Sequence, residues 1–154
     1  MSQSSSPHLL QSTSAAWEGL NQGQELQGIQ VLLVEDDPDI AELLNFILKE
    51  AGAEVITAIC ASEALTQLEA HAPQVLLCDL RLPDHNGDWL IQHIRQQEIK
   101  TGQFLPALAL SSYLGEYSLQ DLFSKGFQGY LDKSSNLKQL VIKVLILANG
   151  NQSR

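Results

Sequence analysis

Cysteine is scarce: Cys60 and Cys78 are the only two in a chain of 154 residues. Two are too few for a disulfide scaffold, and neither has a histidine at metal-ligand spacing. Both read as small buried hydrophobes in a reducing compartment, so the expected location is cytoplasmic. Basic residues are scarce too, with 9 Lys and Arg against 18 Asp and Glu and a formal net charge of -9. That balance argues against nucleic acid or an anionic membrane as partner, since each needs a clustered cationic surface. Long apolar runs are missing: none approaches the roughly 18 residues that span a bilayer. The longest candidate, Phe104 to Leu114, contains a proline and two serines. Met1 to Leu20 has no Lys or Arg and so lacks the charged start of a secretory signal. What is present is an ordinary globular composition, 44% hydrophobic, in a length suited to one domain.

Residues 1–28 are rich in Ser, Gln and Gly, carry Glu18 and Glu25, and hold no cation. They read as a flexible leader or linker. From Ile29 the texture becomes a regular alternation. Ile29 to Val34 is a continuous apolar run that ends in acids, which suits a strand buried on both faces. Asp37 is placed to cap, and Pro38 to open, a helix whose inner face is Ile40, Leu43, Leu44, Ile47, Leu48 and Ala51. Glu54 to Ile59 is β-rich, and Ser62 is expected to cap a short helix with Ala64, Leu65 and Leu68 inward. Gln74 to Cys78, Phe104 to Leu110 and a short stretch around Tyr130 and Leu131 read as further strands. Helices are expected around Leu90, Ile91 and Ile94, over about Leu119 to Lys125, and from about Asn136 to Ala148. Five strands alternating with five helices require right-handed crossovers, and so an α/β doubly wound parallel sheet over residues 29–148, with 149–154 as a short tail.

In such sheets the functional groups collect at the carboxyl ends of the strands. Here those ends carry Glu35-Asp36-Asp37, Asp79, Ser111-Ser112 and Asp132-Lys133. Several carboxylates close together repel, so the group is poised to bind a hard cation or to raise one carboxyl's pKa. With only oxygen donors on offer, Mg²⁺ (or Mn²⁺) is the natural cation. A lysine and a hydroxyl opposite complete a pocket for a tetrahedral phosphoryl group, and the central carboxylate can act as nucleophile.

Four blocks then become recognisable: Val31-Leu32-Leu33-Val34-Glu35-Asp36-Asp37, Asp79 through Gly87, Pro106 through Ser111, and Gly126 through Lys133. They resemble the signature blocks of response-regulator receiver domains, in order, spacing and strand context. The resemblance implies the CheY-like fold with strand order 2-1-3-4-5. It implies Asp79 as phosphoacceptor, with Glu35, Asp36, Asp79 and the backbone carbonyl of Arg81 as the metal set. Ser111 takes the place of the switch hydroxyl, Tyr130 that of the switch aromatic, and Lys133 that of the family's lysine. Arg81 and Tyr113 occupy the positions that tune phosphoryl lifetime. The implied partners are a sensor histidine kinase or phosphotransfer protein and a downstream protein target.

One departure is notable: Ser134 follows Lys133 where the family usually has a cis proline. A cis bond before a non-proline residue costs about 2.5–4 kcal/mol, so the sequence leaves the Lys133–Ser134 bond open between cis and trans, and a trans bond could shift the aim of the lysine and the start of the last helix. The alternative function is therefore a phosphorylation-independent protein-interaction module. An aspartate-nucleophile phosphatase is disfavoured because Arg81 stands where the general acid would be, and a flavin site because no phosphate-cradling loop follows the first strand. The last helix, with Ile142, Ile146 and Leu147 beside its inner Leu137, Leu140, Val141, Val144, Leu145 and Ala148, is apolar nearly all round. That points to burial against the leader or to a homodimer surface. No output domain is expected after residue 148, and the leader fits either a free-standing regulator or the receiver of a hybrid histidine kinase.

Overall fold

The computed structural model describes residues 24–112, 117–134 and 137–152, with no side-chain account of 151 and 152. The leader up to residue 23 and Tyr113 lie outside the described residues. Five strands form one parallel sheet: β1 (Gln30–Val34), β2 (Glu54–Ala58), β3 (Val75–Asp79), β4 (Ala107–Ser111) and β5 (Gly129–Asp132), in the order β2-β1-β3-β4-β5. Between and after them run α1 (Pro38–Glu50), α2 (Ala61–Ala70), α3 (Gly87–Thr101), α4 (Leu119–Lys125) and α5 (Gln139–Gln152). The doubly wound architecture expected from the alternation is the one observed.

Strand periodicity divides the core in two. Val31 and Leu33 of β1, Val75 and Leu77 of β3, and Leu108 and Leu110 of β4 join Leu44, Leu48, Leu140 and Val144 of α1 and α5 on one face. Leu32, Val34, Leu76, Cys78, Ala107 and Ala109 face the other way, onto Leu90, Ile91, Leu122 and Phe127. Because β3 and β4 are buried along their whole length, their sequences are unbroken apolar runs rather than alternating ones. Cys78 is a core residue as expected, whereas Cys60 is only half-buried.

Local signals set most helix ends. The Asp37 carboxylate accepts the N–H groups of Asp39 and Ile40, at 2.9 and 3.3 Å, with Pro38 in the first turn of α1. Ser118 and Asp121 form a reciprocal capping box on α4, which ends at Gly126 with φ +120°.

Three expectations need correction. Ser62 does not cap α2: it lies within the first turn, and its own N–H and hydroxyl donate to Asp84 from the loop after β3. The segment Gln24–Gly28 is part of the folded body rather than the leader. Leu26 is fully buried in the cluster that holds Ile29, Leu48 and Ala51, and its N–H donates to the Ala51 carbonyl at 2.8 Å. The last helix starts at Gln139, with Leu137 and Lys138 in the turn before it. On that helix Leu140, Val141, Val144 and Ala148 are buried and Leu145 and Leu147 pack partly on the core, while Ile146 remains 62% exposed.

The amino end of the sheet is tied by Arg95 of α3. Its guanidinium donates to the carbonyls of Leu105 (2.8 Å) and Gly126 (2.7 and 3.1 Å), to Gln128 Oε1 (3.0 Å) and to both oxygens of Glu98. Glu98 in turn accepts the Leu105 N–H at 2.7 Å, and Gln128 Oε1 accepts that of Ala107 at 2.8 Å. The fixed fork of five donors suits arginine to this task.

Gly87 opens α3 against the end of β3. A Cβ there would lie 2.7 Å from the Asp79 carbonyl oxygen, 3.1 Å from Leu80 Cα and 3.3 Å from Cys78 Sγ. Two of those three are backbone atoms and cannot swing aside. Gly87→Ala is expected to destabilise the domain by about 1–3 kcal/mol, as overpacking of a filled core does, read as a lower urea midpoint at unchanged m-value.

Candidate functional site

Glu35 follows β1 directly; its N–H still pairs with the Ala58 carbonyl at 3.0 Å, so the side chain is held at the rim and only 1% of the residue is exposed. Asp36, the next residue, is exposed. Asp79 is the last residue of β3, buried, with one carboxylate oxygen accepting the Arg81 N–H at 3.1 Å. Lys133 follows β5, placed by its own N–H on the Ser111 carbonyl at 2.9 Å. Its ammonium lies 2.7 Å from Glu35 Oε1 and 2.9 Å from Asp79 Oδ2. One cation thus joins the ends of three strands.

Among the described residues no peptide bond is cis, so Lys133–Ser134 is trans. Ser134 instead donates both its N–H (2.9 Å) and its hydroxyl (2.8 Å) to Asp132 Oδ1. Those two bonds hold the Asp132 carboxyl below its usual range. The turn they make leaves Lys133 aimed into the pocket.

The electrostatics are those of a charge cluster out of balance. Burial pushes the Glu35 carboxyl up; the Lys133 ammonium and the Asp37 N–H, 3.1 Å from Glu35 Oε2, work against it, and Asp79 adds to the rise. For Lys133, burial works downward, but the bonds to Glu35 and Asp79 prevail and its pKa is raised. One oxygen from each of Glu35, Asp36 and Asp79 lies within 4.8 Å of the other two. Three carboxylates face one ammonium, every donor is oxygen, and Asp36 opens to solvent. That donor set fits a hard divalent cation.

Ser111 ends β4 beside β3, is buried, and stands opposite Asp132 in the strand register. Tyr130 stands opposite Ala109 and packs half-buried on the α2–α3–α4 side of the core, with Lys143 Nζ 5.8 Å above its ring. Arg81 is exposed in the loop after β3. The structure therefore brings Glu35, Asp36, Asp79 and Lys133 into contact range, and sets Ser111 and Tyr130 on the neighbouring strands.

Sequence reasoning missed Asp84 and Gly87 as shapers of this loop. Asp84 had no local signal for its role on α2, since Ala61 and Ser62 lie more than twenty residues earlier in the chain. Gly87 had one, a glycine directly after the Asn that opens a helix, and only the close approach to β3 explains it. Behind the site, the Cys78 thiol donates to the Asp79 carbonyl at 3.2 Å, and burial pushes its pKa far up, so it stays a neutral packing group. No helix among the described residues is long and apolar enough to cross a membrane.

A family model, the response regulator receiver domain, matches residues 31–145. The chain belongs to the response regulator receiver domain family. A 14.6 kDa protein from Leptolyngbya boryana, encoded in the sodA1 3' region, is 39% identical over 118 residues, which cover 77% of this chain and 88% of the relative. The virulence transcriptional regulatory protein PhoP of Salmonella typhimurium is 29% identical over 80% of this chain, which spans only 53% of PhoP. Among solved structures, the HemR receiver domain of Leptospira biflexa aligns with a TM-score of 0.68 at 31% identity, covering 78% of this chain and 94% of that one. The receiver domain of Francisella response regulator 1452 gives 0.69 at 26% identity, covering 82% and 100%. Receiver domains are signalling modules that take up a phosphoryl group rather than conventional enzymes, and this receiver carries the CheY-like strand order.

The raised Glu35 pKa fixes the sign of one prediction. A carboxyl raised above its ordinary 4.5 gives the fold stability that is complete below that value and is lost as pH climbs through the higher folded value. Lys133 is the chief group opposing that rise. Lys133→Met should therefore cost about 1–3 kcal/mol at neutral pH, the penalty of an unpaired buried polar group, and less as the pH falls toward 4.5. Paired urea titrations of the two proteins across that pH range give the comparison; a deficit that is constant with pH would contradict it.

Proposed function

We propose that this receiver accepts a phosphoryl group on Asp79 from the phosphohistidine of a sensor histidine kinase or phosphotransfer protein, and thereby changes a surface read by a downstream protein. The observation that carries this reading is the Lys133 ammonium held 2.7 and 2.9 Å from Glu35 and Asp79, with Asp36 alongside. Glu35, Asp36 and Asp79 with the Arg81 carbonyl are the groups that would hold Mg²⁺ or Mn²⁺, which when bound neutralises charge on the transferring phosphoryl oxygens.

The protein's own groups do the rest. One Asp79 carboxylate oxygen attacks phosphorus as the bond from phosphorus to the donor imidazole nitrogen breaks, and the imidazole leaves. Lys133 holds the Asp79 carboxylate in place before transfer, and its ammonium is at hand to pair with a phosphoryl oxygen afterwards. The product carries about -1.5 to -2 charge and three strong acceptors on a rim that is already acidic. Ser111, buried at the end of β4, supplies a hydroxyl donor to that group, and movement of β4 passes to Tyr130 on β5. Phosphorylation then shifts a pre-existing equilibrium at the α4–β5–α5 face. Arg81 flanks the acceptor where it can shield the acyl phosphate from water.

Exposed Leu119, Phe123 and Ile146 make the surface of α4 and α5 apolar enough for a protein target or a second copy of the chain. The trans Lys133–Ser134 bond does not favour the phosphorylation-independent alternative, because the lysine reaches both carboxylates all the same.

The decisive test is phosphotransfer from candidate kinases, and labelling by acetyl phosphate with Mg²⁺, on the wild type and Asp79→Asn. Label on the wild type and none on the variant is expected. Label retained by the variant would assign the acceptor elsewhere, and no label on either would favour the phosphorylation-independent module. Sedimentation equilibrium with and without beryllofluoride addresses the surface: wild type should self-associate more when activated, and Ile146→Asp should stay monomeric.

A further inference from the structure

The loop between β3 and α3 carries Arg81, and it is anchored at a point remote from the carboxylate cluster. Leu80 and Leu82 sink into the core, and the Gly87 N–H donates to the Leu80 carbonyl at 3.0 Å, closing the loop at its base. Its tip is held by the His85 ring, stacked on Trp89 at 3.8 Å, and by the hydrogen bonds of Asp84. One Asp84 oxygen accepts the N–H groups of Ala61 (2.9 Å) and His85 (2.8 Å); the other accepts the N–H of Ser62 (2.9 Å) and its hydroxyl (2.7 Å). Helix α2 has no cap of its own, because Cys60 at that position makes no side-chain bond. Asp84 therefore satisfies the start of α2 and fixes the loop in the same four bonds. The slight burial of its carboxyl works upward on the pKa, but the donors from Ser62, Ala61 and His85 outweigh it and hold the group ionised, well below its usual range.

We propose that Asp84 is a positioning residue of the acceptor pocket: by pinning the β3–α3 loop to the first turn of α2, it holds the Arg81 backbone where it can serve the divalent cation beside Asp79. This rests on the reading of the pocket as a metal-dependent phosphoacceptor. Only two residues lie between Arg81 and the pin, and the Arg81 N–H is itself bound to Asp79 Oδ1 at 3.1 Å. A loop released at Asp84 would therefore loosen the acceptor and the carbonyl together. No Asp84 atom needs to touch the cation.

The direct readout is Mg²⁺ affinity of the full chain, measured by calorimetry with MgCl₂ and without any phosphodonor. Asp84→Ala should raise the Kd for Mg²⁺ by about tenfold, the lower end of what loss of a supporting partner does to metal sites. Asp84→Asn, which keeps an acceptor oxygen, should fall between the two. Ser118→Ala provides the contrast: it removes the cap of α4, lowers stability, and should leave the Kd unchanged. A wild-type Kd in Asp84→Ala overturns the inference, and so does a Ser118→Ala shift as large as that of Asp84→Ala, since the effect would then follow stability alone. If Asp84→Ala does not fold, an unaltered Kd in Asp84→Asn overturns it equally. Failure of the wild type to bind Mg²⁺ overturns the reading of the pocket itself, and with it the role given to Asp84.

Discussion

The ammonium of Lys133 sits between Glu35 and Asp79, and the organisation of the carboxyl rim follows from that placement. Two carboxylates taken largely out of water repel each other and lose hydration, and neither cost is met by the apolar core beneath them. A single lysine, its side chain only 10% exposed, offsets part of both. It reaches them because β5 sits two strands from β3 in the sheet, at the height where β4 supplies the Ser111 carbonyl to its N–H. Strand order and charge placement are therefore one constraint.

The compensation is incomplete, and that incompleteness is useful. With three carboxylates near one cation, Asp36 remains on the solvent side and the Glu35 carboxyl is raised by burial. A site of this kind favours the arrival of positive charge. Stability is given up locally so that the site can respond, while the two hydrophobic layers below hold the frame.

Much of this was legible in the sequence because the signals were local. β1, β3 and β4 are short runs buried on both faces, and each ends in or runs directly into a polar residue of the candidate site, so strand and site were read together. Asp37 and Pro38 announced α1 because a cap and its helix are neighbours in the chain. Where the partner was distant, reading failed. Ser62 looked like a cap, but the carboxylate that fills the role comes from Asp84, 22 residues later. Leu26 looked like part of a polar leader because only folding brings it to Ala51. Arg95 gave no signal at all, since its acceptors lie as far as 33 residues along the chain.

Arg95 also makes the two ends of the sheet mechanically unlike. At the amino end its guanidinium clamps the segments entering β4 and β5 to α3, with every donor answered by a carbonyl, a carboxylate or an amide oxygen. At the carboxyl end the same two strands finish in Ser111 and in Asp132-Lys133, beside an unbalanced charge cluster. β4 and β5 are thus clamped at one end by a fully bonded guanidinium and joined at the other by one ammonium shared between two carboxylates.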